Sequence, residues 1–108
     1  MGVDVEESAM MLIVHSGDAR SLAFGALAAA KEGDFEKADK LLAQSHEKSL
    51  EAHHVQTELL AAEARGESLK VGILLVHSQD HLMTSMLAQE LIKEMVAMYK
   101  SHAGQDKS

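Results

Sequence analysis

The segment Glu32-Gly33-Asp34-Phe35-Glu36-Lys37 divides two long helical patterns and thereby decides the fold. Gly33 can adopt a positive φ at the end of a helix, because it has no Cβ to clash in that conformation. Asp34 can then act as the N-cap of the next helix by accepting a hydrogen bond from a free backbone N–H. The segment therefore predicts a tight reversal between two antiparallel helices.

Apolar residues on both sides of this reversal recur at the three- and four-residue spacing of a helix. The preceding pattern predicts a helix over residues 5–31, and the following pattern predicts one over residues 35–65. Gly17 and Gly25 interrupt the first helix. Each weakens a helix interior by roughly 1 kcal/mol relative to alanine, so we expect a kink or close helix packing to compensate.

A second reversal is predicted at Arg65-Gly66-Glu67-Ser68. Glycine after a basic residue is typical of a helix end, and Ser68 is a candidate N-cap for the helix that follows. The third helix is predicted over residues 69–102, with residues 103–108 as a frayed polar tail. We expect a single all-α domain, residues 1–108, folded as an antiparallel up-down-up three-helix bundle about 45 Å long.

The composition agrees with an all-α fold and excludes several classes of function. Proline is absent, and without cysteine the chain has no disulfide, no thiolate zinc site and no cysteine nucleophile. The formal charge of −7 and the lack of a basic stripe argue against binding to nucleic acid or to anionic membranes. No leader peptide or membrane-spanning apolar run is present, so the expectation is a cytoplasmic protein without direct membrane insertion.

The first half of the third helix is apolar on nearly all sides. Projection at about 100° per residue gives one narrow stripe, which consists of Ile73, Asp80, Leu87, Leu91 and Met98. A helix with two partners in a three-helix bundle cannot cover all these faces. We therefore expect self-association that places the third helix at a shared centre.

The octapeptide Val76-His77-Ser78-Gln79-Asp80-His81-Leu82-Met83 places titratable groups within this apolar helix. His77, Asp80 and His81 are spaced so that all three can reach one side of the helix. An imidazole nitrogen can accept a phosphoryl group and pass it on, a role that suits His77. His81 and, pointing further away, Gln79 are candidates to bind the phosphoryl oxygens. The alternative for His77 is a hydrogen-bonded core histidine.

Asp80 interrupts the stripe that would face the centre of an oligomer. Converging copies of this carboxylate would have to protonate or bind a cation, and a hard divalent ion such as Mg²⁺ suits carboxylate oxygens. The alternative is an exposed Asp80 on a monomer. A different metal site is possible at Glu51-Ala52-His53-His54, whose Glu-x-x-His spacing occurs in di-iron bundles, although the chain has only one copy. A di-metal helical-bundle oxidase and a non-catalytic helical interaction module are therefore the rival functions.

Several segments together resemble the IIA component of the lactose/cellobiose class of the bacterial phosphoenolpyruvate-dependent sugar phosphotransferase system, in particular its N,N′-diacetylchitobiose branch. They are the octapeptide, Gly17-Asp18-Ala19-Arg20-Ser21-Leu22-Ala23, Gly33-Asp34-Phe35 and Glu51-Ala52-His53-His54-Val55-Gln56-Thr57. The resemblance covers most of the chain. Ser78 departs from the pattern, since alanine is usual in relatives.

The resemblance implies a homotrimer of three-helix bundles that is a phosphotransferase component with a phosphohistidine intermediate. His77 would accept the phosphoryl group from the phosphocarrier HPr and donate it to a cysteine of the cognate IIB protein. This transfer would serve the uptake of a β-linked disaccharide such as cellobiose, chitobiose or lactose. The family's motif aspartate, here Asp80, would gather around a structural divalent cation, expected to be Mg²⁺, on the threefold axis. No organic cofactor is implied.

Overall fold

The structure is a computed structural model that describes the backbone of residues 3–106 and the side chains of residues 3–104. Within this range the chain forms three helices: α1 (Val5–Lys31), α2 (Phe35–Ala64) and α3 (Ile73–Asp106). They build a rod of 62 × 21 × 16 Å. The predicted all-α three-helix bundle is confirmed. Among the described helices, none combines the length and hydropathy that a bilayer crossing requires.

The reversal between α1 and α2 has the predicted geometry. Gly33 has a φ of 84°, and its N–H donates to the Ala30 carbonyl at 3.0 Å. The Asp34 N–H donates to the Ala29 carbonyl at 2.9 Å, which closes the end of α1. The Asp34 carboxylate accepts from the Lys37 N–H at 3.1 Å and caps α2. These bonds satisfy backbone groups that the two helix ends leave free.

The connection between α2 and α3 differs from the prediction. Gly66 has the expected positive φ of 90°, but Ser68 caps no helix, and α3 begins at Ile73 instead of residue 69. Helices α2 and α3 make few contacts with each other, so the connection has to cross a gap between them. A residue outside a helix spans about 3.3 Å, whereas a helical residue advances the chain by only about 1.5 Å, so an irregular segment crosses this gap with fewer residues. Residues 67–72 cross between the two helices in irregular conformation.

The C-terminal end of α3 also differs from the prediction. Residues 103–106, predicted as the start of a frayed tail, continue α3 to Asp106. No proline interrupts this segment, and the high helix propensity of Ala103 precedes the low propensity of Gly104, through which the helix nevertheless continues. Residues 107 and 108 lie outside the described residues.

Helix α1 packs against both other helices and is the central element of the chain. Most of the buried apolar side chains are small: Ala9, Ala19, Ala23, Ala26, Ala29, Ala30, Ala38, Ala52 and Ala62. Larger side chains form two clusters along the rod. One includes Ile92 and Val96, and the other includes Leu12, Leu59 and Leu82. Because alanine buries little apolar area, the isolated chain gains only a modest hydrophobic stabilisation.

A buried hydrogen bond joins α2 to α1 near the middle of the rod. Ser45 is completely buried, and its hydroxyl donates to the Ala19 carbonyl at 2.7 Å. A buried polar group needs such a partner, because an unpaired hydroxyl in an apolar environment costs free energy. The bond fixes the relative position of the two helices.

Candidate functional site

The octapeptide lies in the first three turns of α3, and it brings two imidazoles together. His77 is exposed and His81 is half-buried. Their ring centroids are 5.8 Å apart and their planes are inclined by 29°, so the rings are stacked. The exposure of His77 excludes the alternative of a hydrogen-bonded core histidine. Its ring is available to a partner, and a second imidazole lies beside it.

His81 contacts α1 at a glycine. A Cβ placed on Gly17 would lie 3.3 Å from Nε2 of His81, which is tighter than ordinary van der Waals contact. Helix α1 continues through Gly17 without a break, and close packing accompanies this glycine, as expected. The sequence marked Gly17 as unusual. It could not identify His81 as the neighbour, because that contact depends on how α1 and α3 pack.

Gln79 and Ser78 face away from the ring of His77. The Gln79 Oε1 accepts a hydrogen bond of 2.6 Å from Nε2 of Gln56, so its side chain is held toward α2. Ser78 is buried, and its hydroxyl donates to the Leu75 carbonyl at 2.6 Å within α3. The sequence projection separated Gln79 from His77 in the same way. Gln56, the partner of Gln79, was not identified from the sequence.

Asp80 is exposed and belongs to an apolar stripe that the described residues of this chain leave uncovered. The apolar members of the stripe remain 50–89% exposed: Ile73 89%, Leu87 56%, Leu91 50% and Met98 69%. The buried residues of α3 lie on the opposite side of the helix: Ser78, Leu82, Ser85, Ile92 and Val96. The stripe is an exposed apolar patch on a long helix, which is a mark of an interaction surface. The carboxylate of Asp80 stands within it.

The residues that could hold a metal ion are dispersed within one chain. Across residues 3–104 no group of three or more His, Cys, Asp or Glu side chains is arranged to hold a metal ion. Asp80 offers one carboxylate per chain. Its oxygens suit a hard divalent cation such as Mg²⁺, but a site with several carboxylate ligands there requires several copies of the chain.

The Glu-x-x-His segment of α2 is engaged in other contacts. Glu51 lies 3.2 Å from Nδ1 of His15 and 3.6 Å from Nζ of Lys48. The Nε2 of His54 lies 3.3 Å from Glu58. These contacts direct Glu51 and His54 to different neighbours, so the geometry gives no support to the di-metal oxidase.

Comparison with known proteins gives consistent matches. The family model described as "PTS system, Lactose/Cellobiose specific IIA subunit" matches residues 7–100. The chain is 50% identical over 97 residues to the N,N'-diacetylchitobiose-specific EIIA component of Escherichia coli strain K12, covering 90% of this chain and 84% of that protein. The PTS cellobiose-specific enzyme IIA from Bacillus anthracis has a similar crystal structure, with a TM-score of 0.91 and 42% identity, covering 96% of this chain and 95% of that chain.

A complex is also among the similar solved structures. It is the solution structure of the IIA(Chitobiose)-HPr complex of the N,N'-diacetylchitobiose branch of the Escherichia coli phosphotransferase system. The matching chain has a TM-score of 0.81 and 47% identity, with 94% of this chain and 99% of that chain covered. The similarity therefore extends over nearly the whole length of both chains.

Proposed function

This chain belongs to the lactose/cellobiose-specific IIA family of the sugar phosphotransferase system, and on that basis we propose that His77 is the residue that carries the phosphoryl group. The single observation that supports this most is the exposure of the His77 ring beside the stacked His81 ring. An exposed imidazole can meet a donor protein and an acceptor protein in turn, which a buried ring could not.

The proposed chemistry consists of two phosphoryl transfers. A ring nitrogen of His77 uses its lone pair to attack phosphorus on phosphorylated HPr. The bond from phosphorus to the donor atom of HPr breaks, and its electron pair stays on that atom. In the second step a cysteine thiolate of the cognate IIB protein attacks phosphorus, and the electron pair of the breaking bond returns to His77. Such transfers depend mainly on positioning and on stabilising charge on the phosphoryl oxygens.

The proposed partners are HPr and a IIB protein. A relative in the same family was solved as a complex with HPr, which supports HPr as the donor for this chain. The relatives named for chitobiose and cellobiose support a role in the uptake of a β-linked disaccharide, and lactose belongs to the same family description. The protein would act as a phosphotransferase component with a phosphohistidine intermediate.

Two side chains of the octapeptide would assist His77. The half-buried imidazole of His81 stands beside His77 and can offer an N–H to a phosphoryl oxygen. Gln79 is held toward α2 by Gln56, so it would have to give up that hydrogen bond to reach a phosphoryl group on His77. His77 is the fifth residue of α3, about one turn beyond the free N–H groups of the helix start, and the side chain of His81 is the donor that lies beside it.

The proposed assembly is a trimer with the apolar stripe of α3 at its centre. The exposed stripe and its lone carboxylate, Asp80, support this arrangement. Three converging Asp80 carboxylates would repel one another in a low dielectric, and they would hold a structural divalent cation, expected to be Mg²⁺, which compensates their charge. Burial of the stripe would supply the hydrophobic stabilisation that the alanine-rich core lacks.

Phosphorylation of the purified protein tests the proposal. With phosphoenolpyruvate and the general phosphotransfer proteins, we expect an acid-labile phosphoprotein that transfers its phosphoryl group to a IIB protein. His77→Gln should abolish the label. The matched control is His46→Gln, which changes an exposed histidine on α2 and should leave labelling unchanged.

Two results would contradict the proposal. If His77→Gln still takes up label, another residue is the acceptor. If the unmodified protein assembles but accepts no phosphoryl group, it is a helical interaction module without chemistry.

A further inference from the structure

We infer that Gly17 is a positioning residue for phosphoryl transfer: by lacking a side chain, it makes room for the His81 ring, which in turn sets the orientation of the His77 ring. The inference rests on the proposed function, because it assigns a role in the reaction of His77. It concerns a residue of α1 that is remote from His77 along the sequence and that carries no reactive group.

The backbone of α1 does not itself require a glycine at this position. Among the described residues, only Gly33 and Gly66 have a positive φ, whereas Gly17 lies within a continuous α-helix. Alanine would stabilise a helix at such a position relative to glycine. The presence of glycine therefore points to a requirement for space.

The space beside Gly17 is filled by the imidazole of His81. A Cβ at residue 17 would lie 3.3 Å from Nε2 of His81, so a methyl group would force the ring to move by a few tenths of an ångström. The other glycine inside α1 has a different neighbour. At Gly25 a Cβ would meet Cδ1 of Leu41 at 3.5 Å, an ordinary contact with the end of a flexible side chain.

A displacement of His81 would reach His77 because the two rings are stacked. Their centroids are 5.8 Å apart, and they lie one turn apart on α3. His81 therefore has the α1 backbone on one side and the His77 ring on another. Phosphoryl transfer requires the attacking nitrogen in line with the bond that breaks, and small misplacements of a reacting group lower the rate strongly.

The test compares Gly17→Ala with Gly25→Ala, a matched change in the same helix. Gly25→Ala should raise Tm, because alanine has the higher helix propensity. In Gly17→Ala the displacement of His81 offsets that gain, so its Tm should change little. The rate of phosphoryl transfer from HPr should fall roughly three- to tenfold in Gly17→Ala and stay unchanged in Gly25→Ala. If Gly17 had a purely structural role, Gly17→Ala would not slow the reaction while leaving the stability of the fold undiminished.

A double-mutant cycle identifies the route of the effect. In a His81→Ala background the methyl group of Ala at residue 17 meets no ring, so Gly17→Ala should no longer slow the reaction. If Gly17→Ala leaves the rate unchanged in the native background, the inference is wrong. It is also wrong if the loss persists undiminished without the His81 side chain, because the contact would then not transmit it.

Nuclear magnetic resonance of the unphosphorylated protein separates this inference from the proposed function. Gly17→Ala should shift the ring resonances of both His81 and His77, and Gly25→Ala should shift neither. These shifts support the contact even if His77 never accepts a phosphoryl group, in which case the proposed function fails and the positioning of the rings stands. Unmoved ring signals in Gly17→Ala overturn the inference whatever the labelling shows.

Discussion

Leu87→Ala should weaken the proposed trimer and leave the fold of the single chain intact. Leu87 is 56% exposed in the isolated chain and belongs to the stripe of α3. Removing three carbons costs about 2.4 kcal/mol for a fully buried side chain, so shielding the exposed half contributes about 1.2 kcal/mol per chain. Three copies give about 3.6 kcal/mol, which lowers the trimer association constant by between about 100- and 1000-fold.

Sedimentation equilibrium in saturating Mg²⁺ measures this constant directly. Leu50→Ala is the matched control, because Leu50 is 55% exposed on α2, on the side opposite the buried face of that helix. The control should leave the association constant unchanged, and neither variant should lower the helix content. Equal weakening by both variants, or none by Leu87→Ala, would refute the assignment of this stripe to the centre of the assembly.

Three further outcomes are expected. Asp80→Leu should give a trimer that persists in a chelator, whereas the unmodified trimer should weaken in a chelator. Sedimentation velocity distinguishes the two outcomes. A monomeric Asp80→Leu variant would contradict the model of converging carboxylates. Ser45→Ala should lower the free energy of unfolding by about 1 kcal/mol in urea titrations, because the buried bond to the Ala19 carbonyl is lost, and an unchanged midpoint would show that this bond contributes nothing. The hydrogen bonds from Arg65 lower the pKa of Glu67, so nuclear magnetic resonance should find its titration midpoint below the ordinary value, and Arg65→Gln should raise it. Because the pKa of Glu67 is lower in the folded than in the unfolded protein, the Arg65–Glu67 pair stabilises the fold at pH values above the ordinary pKa. This stabilisation is lost as the pH falls through the lowered pKa. An unchanged Glu67 titration midpoint in Arg65→Gln would contradict this assignment.

The local features of the fold could be predicted because they depend on neighbouring residues. The reversal at Gly33 and Asp34 needs one residue that tolerates a positive φ and one that caps a helix, and both properties belong to the residues themselves. The start of α3 could not be predicted this way. Ser68 is a suitable cap, but the separation between α2 and α3 requires an irregular crossing, and that separation is a property of the packed molecule.

The same distinction applies to the candidate site, where contacts within one helix could be predicted and contacts between helices could not. Helical periodicity was sufficient to place His77 beside His81 and to direct Gln79 elsewhere, because all three lie on one helix. Helical periodicity could not predict the contacts between different helices. Neither the bond from Gln56 nor the approach of Gly17 to His81 follows from spacing, since each depends on the distance and rotation between two helices.

The central place of α1 makes the three helices unequal in how firmly they are held. Helix α3 packs mainly on α1 and makes few contacts with α2 in the isolated chain, so its amides should exchange with solvent faster than those of α1. If neighbouring copies cover its outer side, that exchange slows as protein concentration rises, and the melting temperature rises with it by mass action. Assembly would then complete the folding of the helix that bears the reactive imidazole.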